Sequence, residues 1–135
     1  MENQIFKNVT DIMMQLGLKP KLHGFDYLRE TVLLVYEQDK MEENLTISIY
    51  PIVADKYEVT PMVVERSIRL LVNEAHESGG ILGINEIFGC IVYEDNHIYS
   101  NGEIIAIIAE LAKRNELLRK LSDNQKMIAK KDKIC

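Results

Sequence analysis

Apolar residues recur along this chain at three- and four-residue steps, interrupted by glycine, proline and short polar runs. That rhythm predicts a series of amphipathic helices. Ile5, Val9, Ile12, Met13 and Leu16 share one face of a helix over 3–16, with Gly17 placed as its C-terminal cap and Pro20 barring continuation. Residues 19–24 read as a linker. Leu28, Val32, Val35 and Tyr36 form the stripe of a second helix over 25–40, widened by Leu33 and Leu34, and Glu42, Glu43 and Asn44 mark its end. A third helix is expected over 46–57. Pro51 lies inside it, which predicts a kink or a helix that starts near Pro51.

The fourth helix has the clearest start. Thr60 can accept a free backbone N–H as N-cap, and Pro61 fits the first helical position, where its missing N–H breaks no bond. This helix should run to about Ser78 and stop at Gly79-Gly80. Residues 84–88 suit one short helical turn ended by Gly89. Residues 90–99 alternate weakly; a two-stranded ribbon alone is marginal, so an ordered loop is favoured. Ser100 and Glu103 make a capping box for a last helix, whose stripe is Ile104, Ile107, Ile108, Leu111 and Leu118. From Lys120 the chain turns basic and polar and is expected to fray. The fold class is all-α, about six helices in one domain over 1–119, followed by a basic tail over 120–135.

Residues 53–68 carry a helix-turn-helix pattern. Small Ala54 allows a close helix crossing, and Tyr57, Val59, Val64 and Ile68 are apolar where the junction is buried. Glu58 occupies the turn position often held by glycine, so a positive φ there would strain it. Beyond Thr60 the helix has two faces. Val64, Ile68, Leu71, Val72 and Ala75 point inward. Met62, Glu65, Arg66, Arg69 and Asn73 lie opposite. Arginine can pair bidentately with guanine and glutamate can accept from cytosine. Glu65 and Arg69, four apart, would equally make an ordinary helix ion pair.

Composition narrows the picture. The 135 residues are 47% hydrophobic, enough for a core without disulfides or metal. Cys90 and Cys135 have no CxxC or Cys/His companion and read as free thiols in a reducing compartment. No apolar run reaches the roughly 20 residues of a membrane span, and residues 1–4 lack the start of a signal peptide, so a cytoplasmic protein is expected. His23, His76 and His97 are scattered without ligand spacing, so no metal site is expected. A phosphate-binding glycine loop and a nucleophile–base signature are both missing, so neither a cofactor nor an enzyme is expected. The net charge of −5 is unevenly spread: residues 77–112 hold no basic and six acidic groups, whereas 113–135 hold eight basic and three acidic. The basic tail fits a solvated helix end, favoured by the helix dipole, better than a DNA-backbone contact.

Several segments together point to a known family: Gly24-Phe25-Asp26-Tyr27-Leu28-Arg29-Glu30, Val35-Tyr36, Tyr50-Pro51, Ala54-Asp55-Lys56-Tyr57, Val64-Glu65-Arg66-Ser67-Ile68-Arg69 and Ile87-Phe88-Gly89. In this order and spacing, residues 11–116 resemble the C-terminal effector domain of stage zero sporulation protein A, the response regulator that starts endospore formation. The resemblance implies a six-helix fold that binds promoter DNA through its recognition helix, often as a tandem pair, with Glu65, Arg66 and Arg69 at DNA-contacting positions. It also implies a contact with the sigma subunit of RNA polymerase around Gly83, Ile84, Glu86, Ile87 and Phe88. The family usually has basic groups where this chain has Ile47, Asp55 and Val63, and lost phosphate contacts weaken binding uniformly. The family's receiver domain is not among the 135 residues, which predicts control by abundance or by a partner.

Two functions follow as expectations. The first is a sequence-specific DNA-binding transcription regulator. Arg66 and Arg69 read bases, Glu65 orients or selects, Lys56 and Thr60 touch phosphates, and Met62 and Asn73 complete the face. The second is an interaction protein that has given up DNA and modulates the full-length sporulation regulator or the sigma subunit, in keeping with the acidic stretch 77–112. A homodimer is compatible with either.

Overall fold

The structure, a computed structural model, describes residues 2–38, 45–89 and 97–124. Its helices are α1 (Glu2–Gln15), α2 (His23–Gln38), α3 (Leu45–Ser48), α4 (Tyr50–Tyr57), α5 (Pro61–Ser78), α6 (Gly83–Phe88) and α7 (Asn101–Asn124), with a 3-10 turn at Gly80–Leu82. No strand occurs among the described residues, and the architecture is all-α. Taking the single turn of α3 with α4 gives the six helices expected. Both cysteines, most of the expected loop over 90–99 and the end of the tail lie outside the described residues.

Helix ends follow local chemistry. Gly17 adopts φ +79°, so Leu18 N–H reaches the Met13 carbonyl at 3.1 Å and Gly17 N–H the Met14 carbonyl at 3.1 Å. These bonds satisfy carbonyls that the helix end leaves open. The expected third helix is broken at Ile49, and a new helix begins at Tyr50 with Pro51 in its first turn, where a missing N–H costs no helical bond. At the start of α7, Glu103 N–H donates to Ser100 Oγ at 3.1 Å and Ser100 N–H to Glu103 Oε1 at 3.0 Å. The hydrogen bonds from Ser100, its backbone N–H first, hold the Glu103 carboxyl below its ordinary pKa. At its far end α7 runs past Lys120 to Asn124, and the rest of the expected tail lies outside the described residues. Arg119 spans the last turns of α7, paired with Glu116 and 3.9 Å from Asp123.

The predicted apolar faces form the core. Val9, Ile12, Met13 and Leu16 of α1, Leu28, Val32 and Val35 of α2, and Val64, Ile68 and Leu71 of α5 are all buried. Helix α7 is buried more broadly than its stripe suggested, because Ile105, Ala109 and Ala112 are also inside. It packs against α1, α2 and α5 together, so more than one face is covered. Burial of this kind contributes roughly 25 cal/mol per Å² of apolar surface.

A close backbone approach sets the position of α5. A Cβ placed on Gly24 would stand 2.2 Å from the Ser67 carbonyl oxygen and 2.8 Å from its carbon. Only glycine lets the start of α2 lie on the backbone of α5.

Candidate nucleic-acid interface

The turn between α4 and α5 resolves a conflict between residue type and backbone. Glu58 has φ +59° and ψ +45°, the one non-glycine residue with positive φ among those described. The left-handed conformation lets Val59 N–H bond the Ala54 carbonyl at 2.9 Å and Glu58 N–H the Asp55 carbonyl at 3.3 Å. The bonds close the end of α4 while Glu58 bears strain of about 1–2 kcal/mol that glycine would avoid. Ala54 is buried at the crossing. Thr60 then caps α5, its hydroxyl oxygen accepting Val63 N–H at 3.2 Å.

Behind this unit, α2 serves as a backing plate. Phe25 and Leu28 enter the core. The Tyr27 ring meets Tyr57 edge-on at 5.1 Å. The Arg29 guanidinium lies over the Phe6 ring at 4.2 Å, donates to Thr10 Oγ1 at 3.2 Å and pairs with Asp26 at 2.9 Å. Glu30 Oε1 takes the Lys56 ammonium at 2.9 Å. Residues 24–30 thus hold both helices of the helix-turn-helix. Asn101 adds a tie from α7, its Nδ2 donating to the Glu65 carbonyl at 3.1 Å. Tyr50 is buried beside it, and that burial raises its phenol above the ordinary pKa.

In front, α5 faces solvent with Met62, Arg66, Arg69, Leu70 and Asn73. Met62 and Leu70 are each 62% exposed. Arg66 sits between them and donates to Met62 Sδ at 3.3 Å. No carboxylate pairs with Arg66 among the described residues. Arg69 differs: its guanidinium is paired with Glu65 one turn earlier. Lys56 differs further, because its partner Glu30 comes from another helix, and that hydrogen bond holds the ammonium above its ordinary pKa. The structure therefore brings Met62, Arg66, Arg69 and Asn73 onto one open face beside Thr60. It ties Lys56 to the scaffold and commits Glu65 to Arg69. Ile47 is 73% exposed and Val63 lies at the edge of the same unit, so neither of these apolar residues is absorbed by the core.

Helix α6 is less uniform. Glu86 is exposed, and Gly83, Ile87 and Phe88 are half-buried. Ile84 is turned fully into the core. Its side chain is not exposed, whereas the other residues of the expected sigma-facing set keep some surface. The Arg114 guanidinium lies 5.7 Å from the Phe88 ring centre and joins α6 to α7.

Four contributors have no role predicted from the sequence, where Gly24 and Glu30 enter only through the family resemblance: Gly24, Glu30, Leu70 and Asn101. Leu70 alone carried a usable signal, since it follows Arg66 by four residues and so shares its ridge. The others act across gaps of 26 to 43 residues. No group of three or more His, Cys, Asp or Glu among the described residues could hold a metal ion, and no described helix is long and apolar enough to cross a membrane.

The family model described as sporulation initiation factor Spo0A C terminal matches residues 9–111 of this chain.

Proposed function

Because the chain belongs to the family of the sporulation initiation factor Spo0A C-terminal domain, a DNA-binding regulatory domain and not an enzyme, we propose that it is a sequence-specific transcription regulator that reads promoter DNA in the cytoplasm. The observation that carries this reading is the solvent-facing side of α5, with Arg66 at its centre and unclaimed by any described carboxylate. Arg66 pairs with a guanine in the major groove, and Arg69 reads a second base once Glu65 yields or turns to a cytosine amine. Asn73 suits adenine. Thr60 keeps its hydroxyl hydrogen free for a phosphate while its oxygen caps α5. Lys56 reaches a phosphate with donors left over from Glu30, since an ammonium has three. The half-buried and exposed residues of α6, namely Gly83, Glu86, Ile87 and Phe88, offer the surface for a sigma subunit, and two copies bind DNA in tandem.

A second reading is favoured by the charges already spent. Lys56 and Arg69 are neutralised within the domain, and Ile47 and Val63 are exposed where the family usually carries cations. A domain so placed would bind the full-length sporulation regulator or the sigma subunit instead of DNA.

One titration separates the two. Binding to a promoter fragment carrying the family's recognition box is measured at several salt concentrations, for the chain and for the double variant Arg66→Ala, Arg69→Ala. The DNA reading expects specific, salt-dependent binding that the double variant loses. Absence of binding at low salt, with co-purification of the full-length regulator or sigma, would establish the second reading.

A further inference from the structure

The front of α5 holds more apolar surface than a phosphate-gripping helix needs. Met62, Arg66 and Leu70 follow one another at four-residue steps and so form a single ridge along the helix. The two apolar members are each 62% exposed. Met62 accepts a hydrogen bond from Arg66 at 3.3 Å, which leans the guanidinium toward the start of α5 and leaves Leu70 uncovered at the other flank. On the opposite side the helix is fully packed by Val64, Ile68, Leu71 and Ala75, so Leu70 cannot turn inward.

Resting on the DNA-binding reading above, we propose that Met62 and Leu70 select thymine on either side of the guanine taken by Arg66, through contact with the thymine C5-methyl groups. In the major groove that methyl is the one apolar feature a base edge presents, and aliphatic side chains recognise it by excluding water. The ridge thus couples one charged reader to two uncharged ones. Its specificity does not depend on phosphate charge. Such readers suit a surface where Ile47 and Val63 supply no cations and Lys56 and Arg69 are already paired.

The test uses duplexes selected by the whole chain from a randomised pool, remade with uracil in place of thymine at each position in turn. Uracil keeps every hydrogen-bonding group and lacks only the methyl. The unmodified chain should bind the uracil duplex roughly fourfold more weakly at two positions flanking one guanine, as expected for a methyl-sized apolar contact. Leu70→Ala should erase the preference at one of them and Met62→Ala at the other. The salt dependence should stay unchanged in both, because no phosphate contact is touched. Since both side chains are exposed, the variants should melt like the parent. Sequence-specific binding that ignores the uracil exchange, or a Leu70→Ala variant that still discriminates, overturns the methyl reading alone. Failure to select any sequence at low salt overturns the DNA-binding reading and this one with it.

Discussion

Toward α2, helix α5 presents Val64, Ile68 and Leu71 at full burial, and its backbone at Ser67 touches the one glycine that can fit there. Toward solvent, the same eighteen residues present Met62, Arg66, Leu70 and Asn73. The back is fixed by volume: nothing can be added at Gly24 without moving a helix. The front is fixed by which charges the domain itself consumes. Glu65 takes Arg69, Glu30 takes Lys56, and among the described residues Arg66 has only a methionine sulfur. Stability and recognition should therefore respond to different substitutions, although they share one helix.

The largest expected effect lies at the back. Gly24→Ala places a methyl group against the Ser67 carbonyl, and either helix must shift. A loss of about 3 kcal/mol is expected, the upper part of the range for overpacking, visible as a lower denaturant midpoint with DNA affinity falling in step. An unchanged midpoint would break the claim that this contact sets the position of α5. Thr60→Ala bears on both sides of the comparison. It removes the oxygen that accepts Val63 N–H and should cost about 1 kcal/mol of stability, with a further loss of DNA affinity measured under conditions where the variant is fully folded.

Glu30→Gln acts on the front alone. It withdraws the negative charge held by Lys56 and leaves the fold nearly as stable, since an exposed pair is worth at most about 1 kcal/mol. DNA affinity should rise, and the slope of log affinity against log salt should steepen by close to one contact. A fall in affinity would mean that Glu30 aims Lys56 instead of restraining it.

The smallest effect concerns pH and the far end of α5. His76 Nε2 accepts the Tyr99 backbone N–H at 3.0 Å, which requires a neutral imidazole. Burial, and then the neighbouring His97, lower its pKa below the ordinary 6.5. The unfolded chain therefore binds a proton near pH 6.5 that the folded chain refuses, so this group withdraws stability as pH falls below that value and contributes fully above it. His76→Gln should flatten part of that slope in melts taken between neutral and mildly acidic pH. The Glu103 carboxyl, whose pKa is lowered, acts in the carboxylate range at more acidic pH and does not obscure the result.

How much of this could be read from residue order differs between the two sides. The long helices were legible because each has an apolar face repeated over three or more turns, as with Val9, Ile12, Met13 and Leu16. Local signals were legible too: the Thr60 cap, the Ser100–Glu103 box, the turn at Glu58 and the Glu65–Arg69 pair all lie within four residues. The match of residues 9–111 to the family model agrees with the resemblance carried by those segments. The burial of Ile84 is not legible, because six residues of α6 are too few to define a face. The breadth of burial on α7 was missed because a helix packed on three neighbours loses its single stripe. Gly24 on Ser67, Lys56 on Glu30 and Asn101 on Glu65 exist only once the chain has folded, and no periodicity encodes them. Those contacts decide which cations remain available at the front.

The most direct measurement follows the backbone amide signals of the isotopically labelled chain by NMR as a selected duplex is added. Shifts should concentrate between Thr60 and Asn73, with Arg66 and Leu70 among the largest, while amides of α1 and the middle of α7 stay still. Shifts gathered on α6, or a spectrum that DNA leaves untouched at low salt, would contradict the assignment of the solvent face of α5 as the surface that meets DNA.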